Sequence, residues 1–127
     1  MTRILLVEDS VTMRGFVRGA LLAGSPTLEL DIVEAENGFD ALRLLPRGPY
    51  DLVITDINMP NINGLELLSF IRKSDQHRDT PVLLISTQSS DKDRRRALEL
   101  GANDYLAKPF TAVALQEAAQ RQLERAR

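Results

Sequence analysis

Residues Asp51 to Gly64 read DLVITDINMPNING, and the fold of the whole chain turns on how this stretch is understood. Leu52, Val53, Ile54 and Thr55 form a branched run without polar alternation, the pattern of a strand buried on both faces of a parallel sheet. In open α/β sheets the ligand crevice lies beyond the carboxyl ends of the strands, so Asp56, directly after the run, stands at that mouth. Two readings of Asp56 stand side by side. It is either a carboxylate placed for chemistry or a residue that only turns the chain, accepting backbone N–H groups ahead of Pro60 and Gly64.

The same strand-then-polar pattern recurs outward from this stretch. Ile4 to Val7 is a continuous apolar run ending in Glu8 and Asp9, and Val82 to Ile85, introduced by Pro81, ends in Ser86 and Thr87. Tyr105 to Ala107 forms a short last strand followed by Lys108. Leu28, Leu30 and Ile32 alternate with Glu29 and Asp31, which predicts an edge strand with one wet face. Between these runs, Met13, Phe16, Val17, Ala20 and Leu21 recur at helical spacing. They predict a helix from Val11 to about Ala23, capped by Asp9 or Ser10 and weakened by Gly15 and Gly19. Asn37 caps a short helix through Leu45, and Leu67, Leu68 and Ile71 stripe a helix that ends near Lys73. Asp91 to Leu100 and Thr111 to Arg125 complete the set, both with thin apolar stripes, and Gly101 fits the end of the former. Five strands alternating with five helices give an α/β domain with right-handed crossovers.

At 127 residues, with 43% hydrophobic and 27% charged residues, the chain has the size and composition of one domain spanning residues 1–127. No apolar run approaches the ~20 residues that span a bilayer, and Glu8 and Asp9 stop the first run too early for a signal-peptide core. The absence of cysteine excludes disulfides and thiolate metal sites and fits a cytoplasmic location, leaving oxygen ligands or His77 for any metal. A net charge of −2 gives no global attraction to nucleic acid or to anionic membranes, so the expected partners are proteins. His77, in the polar linker Ser74 to Thr80, is expected to be solvated, as are Arg94, Arg95 and Arg96 on a helix face.

If the strands are parallel, their carboxyl ends bring Glu8, Asp9, Asp56, Ser86 and Lys108 to one mouth. Carboxylates so placed repel and raise one another's pKa unless a cation joins them, and an all-oxygen site fits Mg²⁺. An ionised carboxylate is also a nucleophile toward phosphorus, which would give an aspartyl phosphate whose developing charge Lys108 and Ser86 would stabilise. For Glu8 and Asp9 the alternative is helix capping, and for Ser86 and Lys108 it is an ordinary loop hydroxyl and a solvated lysine.

With LLVEDS, TDINMPNING, PVLLIS and YLAKPF in that order, each at a strand end, the chain resembles the receiver domains of two-component response regulators. The likeness covers essentially the whole chain and is nearest to the single-domain chemotaxis type. It implies a flavodoxin-like doubly wound sheet in the order 2-1-3-4-5 with five helices. It implies Asp56 as phosphoacceptor, Glu8 and Asp9 as the acidic pocket, and a backbone carbonyl of Asn58 as a further Mg²⁺ ligand. Lys108 would contact the phosphoryl group, Ser86 and Tyr105 would be the switch hydroxyl and switch aromatic, and the Lys108 to Pro109 bond would be cis. The partners so implied are a sensor histidine kinase or histidine phosphotransfer protein upstream and a protein target downstream, with the chain a monomer or a weak phosphorylation-linked dimer. Such a domain promotes its own phosphorylation and dephosphorylation and is not an enzyme acting on other substrates. Its output face would comprise the fourth helix, fifth strand and fifth helix.

Two positions depart from the family pattern. Asn63 stands where Asp is common, with consequences confined to capping, and Thr87 stands where Ala or Gly is usual. A β-branched Thr87 beside the phosphoryl site, flanked by the neutral amides of Asn58 and Gln88, is expected to slow in-line approach of water and hence loss of the phosphoryl group. Competing functions are a Mg²⁺-dependent aspartyl-phosphate phosphohydrolase, a flavodoxin-like nucleotide binder, and a receiver domain excised from a larger regulator. The phosphohydrolase needs an acidic general acid two residues after the nucleophile, where this chain has Asn58, and Glu8 and Asp9 would repel a nucleotide phosphate.

Overall fold

Each continuous apolar run becomes a strand that buries side chains on both faces. In the computed structural model, which describes residues 1–87 and 90–125 (Arg125 by its backbone alone), β1 (Thr2–Val7), β2 (Leu30–Ala35), β3 (Leu52–Asp56), β4 (Val82–Ser86) and β5 (Asp104–Ala107) form one sheet. The order is β2-β1-β3-β4-β5 and every neighbouring pair is parallel. The connections are α1 (Val11–Gly24), α2 (Gly38–Leu44), α3 (Gly64–Lys73), α4 (Asp91–Glu99) and α5 (Ala112–Arg125), with a 3₁₀ turn at Leu45–Arg47.

Alternate strand residues feed two cores. Leu5, Val7, Val53 and Leu84 pack with Leu44, Leu67, Leu68, Ile71 and Ala97 from α2, α3 and α4. Ile4, Leu6, Ile54 and Leu83 pack with Val17, Leu21, Leu115 and Leu123 from α1 and α5. A sheet covered on both faces explains why β1, β3 and β4 read as unbroken apolar runs. Among the described residues no helix is long and apolar enough to cross a membrane.

The helix starts follow their caps. Ser10, rather than Asp9, caps α1 by accepting from Met13 N at 3.2 Å, which leaves the Asp9 carboxylate unused by the helix. Asn37 caps α2, and Asn63 forms a reciprocal capping box with Glu66 on α3, the local role expected for it. Gly101 closes α4 with a φ of +108°. The Lys108–Pro109 bond is cis, as the family pattern implied.

Two expectations need correction. β2 is an edge strand but lacks a fully wet face: Ile32 and Leu30 pack toward α1 and α5 while Val33 and Ala35 pack toward α2, leaving Glu34 exposed. His77 is not solvated. The Ser74 to Thr80 turn folds beneath the end of α2, where the ring is 1% exposed, its Nε2 lies 2.6 Å from Leu45 O and the Tyr50 ring is 5.8 Å away. A carbonyl only accepts, so Nε2 carries the proton there. Arg72 anchors the same region, donating to Thr80 O, Gly101 O and the Asn103 side chain at 2.8 Å each.

Glycines divide into two kinds in this fold. Gly15 and Gly19 lie on the outer side of α1 with nothing within 4 Å of an added Cβ. At Gly64 an added Cβ would run into the Asp56 carbonyl oxygen and lie 2.7 Å from Ile57 Cα. The chain can therefore turn from β3 into α3 only without a side chain there. Gly15→Ala and Gly19→Ala are expected to raise stability by about 0.5–1 kcal/mol each, and Gly64→Ala to lower it by about 2 kcal/mol. Urea titrations of the three variants check both signs.

Candidate functional site

Parallel pairing carries the site's residues to one edge. Ser86 pairs with Ala107, placing Lys108 beyond it, and Asp56 lies level with Ile85. From there Lys108 reaches across the sheet, with Nζ 2.9 Å from Glu8 Oε1 and 3.2 Å from Asp56 Oδ2. Glu8 and Asp56 are buried, at 1% and 3% exposure, whereas Asp9 faces solvent. One oxygen from each of the three carboxylates lies within 4.8 Å of the others.

Backbone donors hold the two buried carboxylates in place. Glu8 Oε2 accepts from Ser10 N at 3.0 Å, and Asp56 Oδ1 accepts from Asn58 N at 3.1 Å. Burial pushes the Glu8 carboxyl above its usual range, against the Ser10 amide and Lys108, which pull it down, and the charge of Asp56 adds to the rise. For Lys108, burial opposes the charged form, but the hydrogen bond to Glu8 and the charge of Asp56 outweigh it, so its pKa is raised. Lys108 therefore stays cationic. It is one positive charge among three carboxylates, and the excess of oxygen-borne negative charge is what a hard divalent cation such as Mg²⁺ takes as ligands.

The rest of the expected set lies around this centre. Ser86 is fully buried and its Oγ donates to Asn58 Oδ1 at 3.1 Å. Thr87 is exposed at the same corner, with Oγ1 3.1 Å and N 3.3 Å from that amide oxygen. Gln88 lies outside the described residues. Tyr105 is set apart from the carboxylates: it is 2% exposed and packed in the core shared with α3 and α4, more deeply buried than an edge position suggested.

Two arginines near these residues have no signal in the sequence. Arg14 donates to Glu8 O at 2.9 Å while pairing with Glu34 at 3.3 Å, tying the β1 end to α1 and β2. Arg94, expected only on a wet face, donates to Tyr105 O at 2.8 Å with its guanidinium 5.8 Å from the Tyr105 ring. Neither contact follows from spacing along the chain, because both depend on how a helix seats on the sheet.

Comparisons with known proteins agree with this geometry. The family model described as response regulator receiver domain matches residues 4–120. The chemotaxis protein CheY-3 of Vibrio cholerae serotype O1 is 38% identical over 125 residues, covering 97% of this chain and 92% of that protein. A chemotaxis protein CheY homolog of Campylobacter jejuni is 36% identical over 116 residues, 91% of this chain and 87% of its own length. Among solved structures, the chemotaxis response regulator CheY4 of Vibrio cholerae superposes with a TM-score of 0.86 at 30% identity, over 96% of this chain and 98% of that one. The receiver domain of a sensor histidine kinase from Pseudomonas aeruginosa, whose structure carries a magnesium ion in its active-site cleft, gives 0.84 at 29% identity over 97% and 98%.

The crowding of carboxylates has a measurable consequence. Asp9 adds negative charge beside Glu8 and Asp56 and, unlike them, makes no ion pair with Lys108. Asp9→Asn is expected to stabilise the metal-free protein by about 1 kcal/mol. Urea unfolding in chelator, parent against variant, checks the sign.

Proposed function

The chain belongs to the response regulator receiver domain family, and we propose that it is a phosphorylation-controlled switch which accepts a phosphoryl group on Asp56 and signals to a protein target. The observation that carries this reading is the Asp56 carboxylate, buried at the carboxyl end of the central strand with Lys108 at 3.2 Å and two further carboxylates around it. In the transfer, an Asp56 oxygen forms a P–O bond as the P–N bond of a phosphohistidine donor breaks, and the electron pair of that bond returns to the imidazole nitrogen. Lys108, 3.2 Å from Asp56 Oδ2, meets the negative charge of the incoming phosphoryl oxygens. Asn58 N–H, 3.1 Å from Oδ1, fixes the carboxylate's orientation and leaves Oδ2 to the lysine.

Glu8, Asp9, Asp56 and the backbone carbonyl of Asn58 are the groups that would hold Mg²⁺, whose contribution when bound is to neutralise these carboxylates and the phosphoryl oxygens. The residues at the mouth set the lifetime of the product. Thr87, at van der Waals and hydrogen-bonding range of Asn58, narrows the approach of water to the phosphoryl group, and neither side chain is a general base. The domain spans residues 1–127, acts in the cytoplasm as a monomer or weak phosphorylation-linked dimer, and receives its phosphoryl group from a histidine kinase or phosphotransfer protein. It promotes its own phosphorylation and dephosphorylation.

The output face is α4, β5 and α5, with Ser86 as the switch hydroxyl and Tyr105 as the switch aromatic. Support comes from how lightly α4 is held. Ala97 is its single buried residue, Leu98 and Leu100 are 43% and 42% exposed, and Arg94 ties it to the backbone of Tyr105. An element with so little buried apolar surface is the one that differential contacts shift most readily.

Incubation with acetyl phosphate and Mg²⁺ is expected to add one phosphoryl group, detected by intact mass, that is absent from Asp56→Asn and from protein held in chelator. Equal labelling of parent and Asp56→Asn would sink the assignment. On phosphorylation, amide hydrogen exchange is expected to change in α4, β5 and α5. Change confined to the surroundings of Phe16 and Leu42 would exclude this output face.

A further inference from the structure

Asn58 Oδ1 stands at the meeting point of three donors: Ser86 Oγ at 3.1 Å, Thr87 Oγ1 at 3.1 Å and Thr87 N at 3.3 Å. A backbone N–H can only donate, so the amide atom facing Thr87 N is the oxygen, and the orientation of the Asn58 side chain is decided by that contact. The same residue's backbone N–H donates to Asp56 Oδ1 at 3.1 Å. One asparagine thus links the Asp56 carboxylate to the corner where β4 leaves the sheet toward α4. Ser86 has one hydroxyl proton, and while Asn58 accepts it that proton is not available to a group on Asp56.

We propose that the Asn58 side chain is a latch on the β4–α4 corner in the resting protein, and that Thr87 is a positioning residue that holds it closed through its hydroxyl rather than through its bulk. An Ala or Gly at this position retains only the backbone donor, so the latch would consist of Ser86 Oγ and one N–H. With Thr87 the corner gains a second hydroxyl on the same oxygen, placed by a β-branched side chain with few χ1 options. When Ser86 turns away from Asn58, Thr87 still holds the amide, and the corner resists the shift that would carry α4 with it. A neutral hydrogen bond biases such an equilibrium by about 2- to 10-fold. For its consequence, a raised threshold for switching, the inference rests on Asp56 being the phosphoacceptor. The latch itself is a property of the unphosphorylated chain.

Two near-isosteric changes separate hydroxyl from bulk. Thr87→Val keeps the branched volume and removes the donor, and Thr87→Ser keeps the donor and removes the methyl group. The readout is the protection factor of the residue 87 amide, the third donor on Asn58 Oδ1, measured by NMR-detected hydrogen exchange without metal or phosphodonor. Thr87→Val is expected to lower protection about 2- to 10-fold, Asn58→Ala at least as much, and Thr87→Ser less than about 2-fold. Protection in Thr87→Val equal to the parent would overturn the latch. Protection in Thr87→Ser as low as in Thr87→Val would also overturn it, by assigning the ordering to the methyl group. Absence of phosphorylation on Asp56 would defeat the functional reading and leave these values unchanged, so the two failures are distinguishable.

Discussion

Lys108 Nζ, between Glu8 Oε1 at 2.9 Å and Asp56 Oδ2 at 3.2 Å, is the contact on which the organisation of this molecule depends. It joins the ends of β1, β3 and β5, elements distant in sequence, across the carboxyl edge of the sheet. Buried ion pairs of this kind contribute little net stability, because desolvation of the charges offsets much of their attraction. The pairing therefore gathers the carboxyl edge without accounting for the stability of the fold, which must come from elsewhere. It comes from the two apolar cores that the sheet separates.

That division of labour shows in the geometry of the loops. The β3–α3 turn is set by the close approach of Gly64 to the Asp56 carbonyl and by Gly64 N–H donating to Ile57 O at 3.1 Å. The turn presents Asn58 N–H to the Asp56 carboxylate. On the opposite edge of the sheet, His77, Tyr50 and Arg72 fasten the turns with side-chain bonds to carbonyls: Tyr50 Oη donates to Leu44 O at 2.6 Å, and Arg72 spans from Thr80 to Gly101. By contrast, α4 rests on one buried alanine and an arginine tether.

Thr87 reads differently in the sequence and in the structure. In the sequence it is a bulkier residue beside Ser86. In the structure its hydroxyl and its amide both address Asn58, so the substitution adds a bond as well as volume.

The amino-acid sequence by itself determined the strands and their order of appearance, the helices between them, and the convergence of Glu8, Asp9, Asp56, Ser86 and Lys108, because these follow from short-range periodicity and from the single rule that parallel strands share an edge. It also determined that Asn63 caps α3, since capping is local. Tertiary structure alone decided which of Glu8 and Asp56 the lysine meets, namely both, and that Asp9 is left exposed while Glu8 is buried. It buried His77, which looked solvated because its neighbours in sequence are polar; its neighbours in space are Leu45 and Tyr50. It likewise set Arg14 on Glu8 O and Arg94 on Tyr105 O. The physical reason is common to all of these. A long side chain is committed by whichever carbonyl, carboxylate or ring the packed elements bring within its reach, and that distance is a property of how helices seat on the sheet rather than of spacing along the chain.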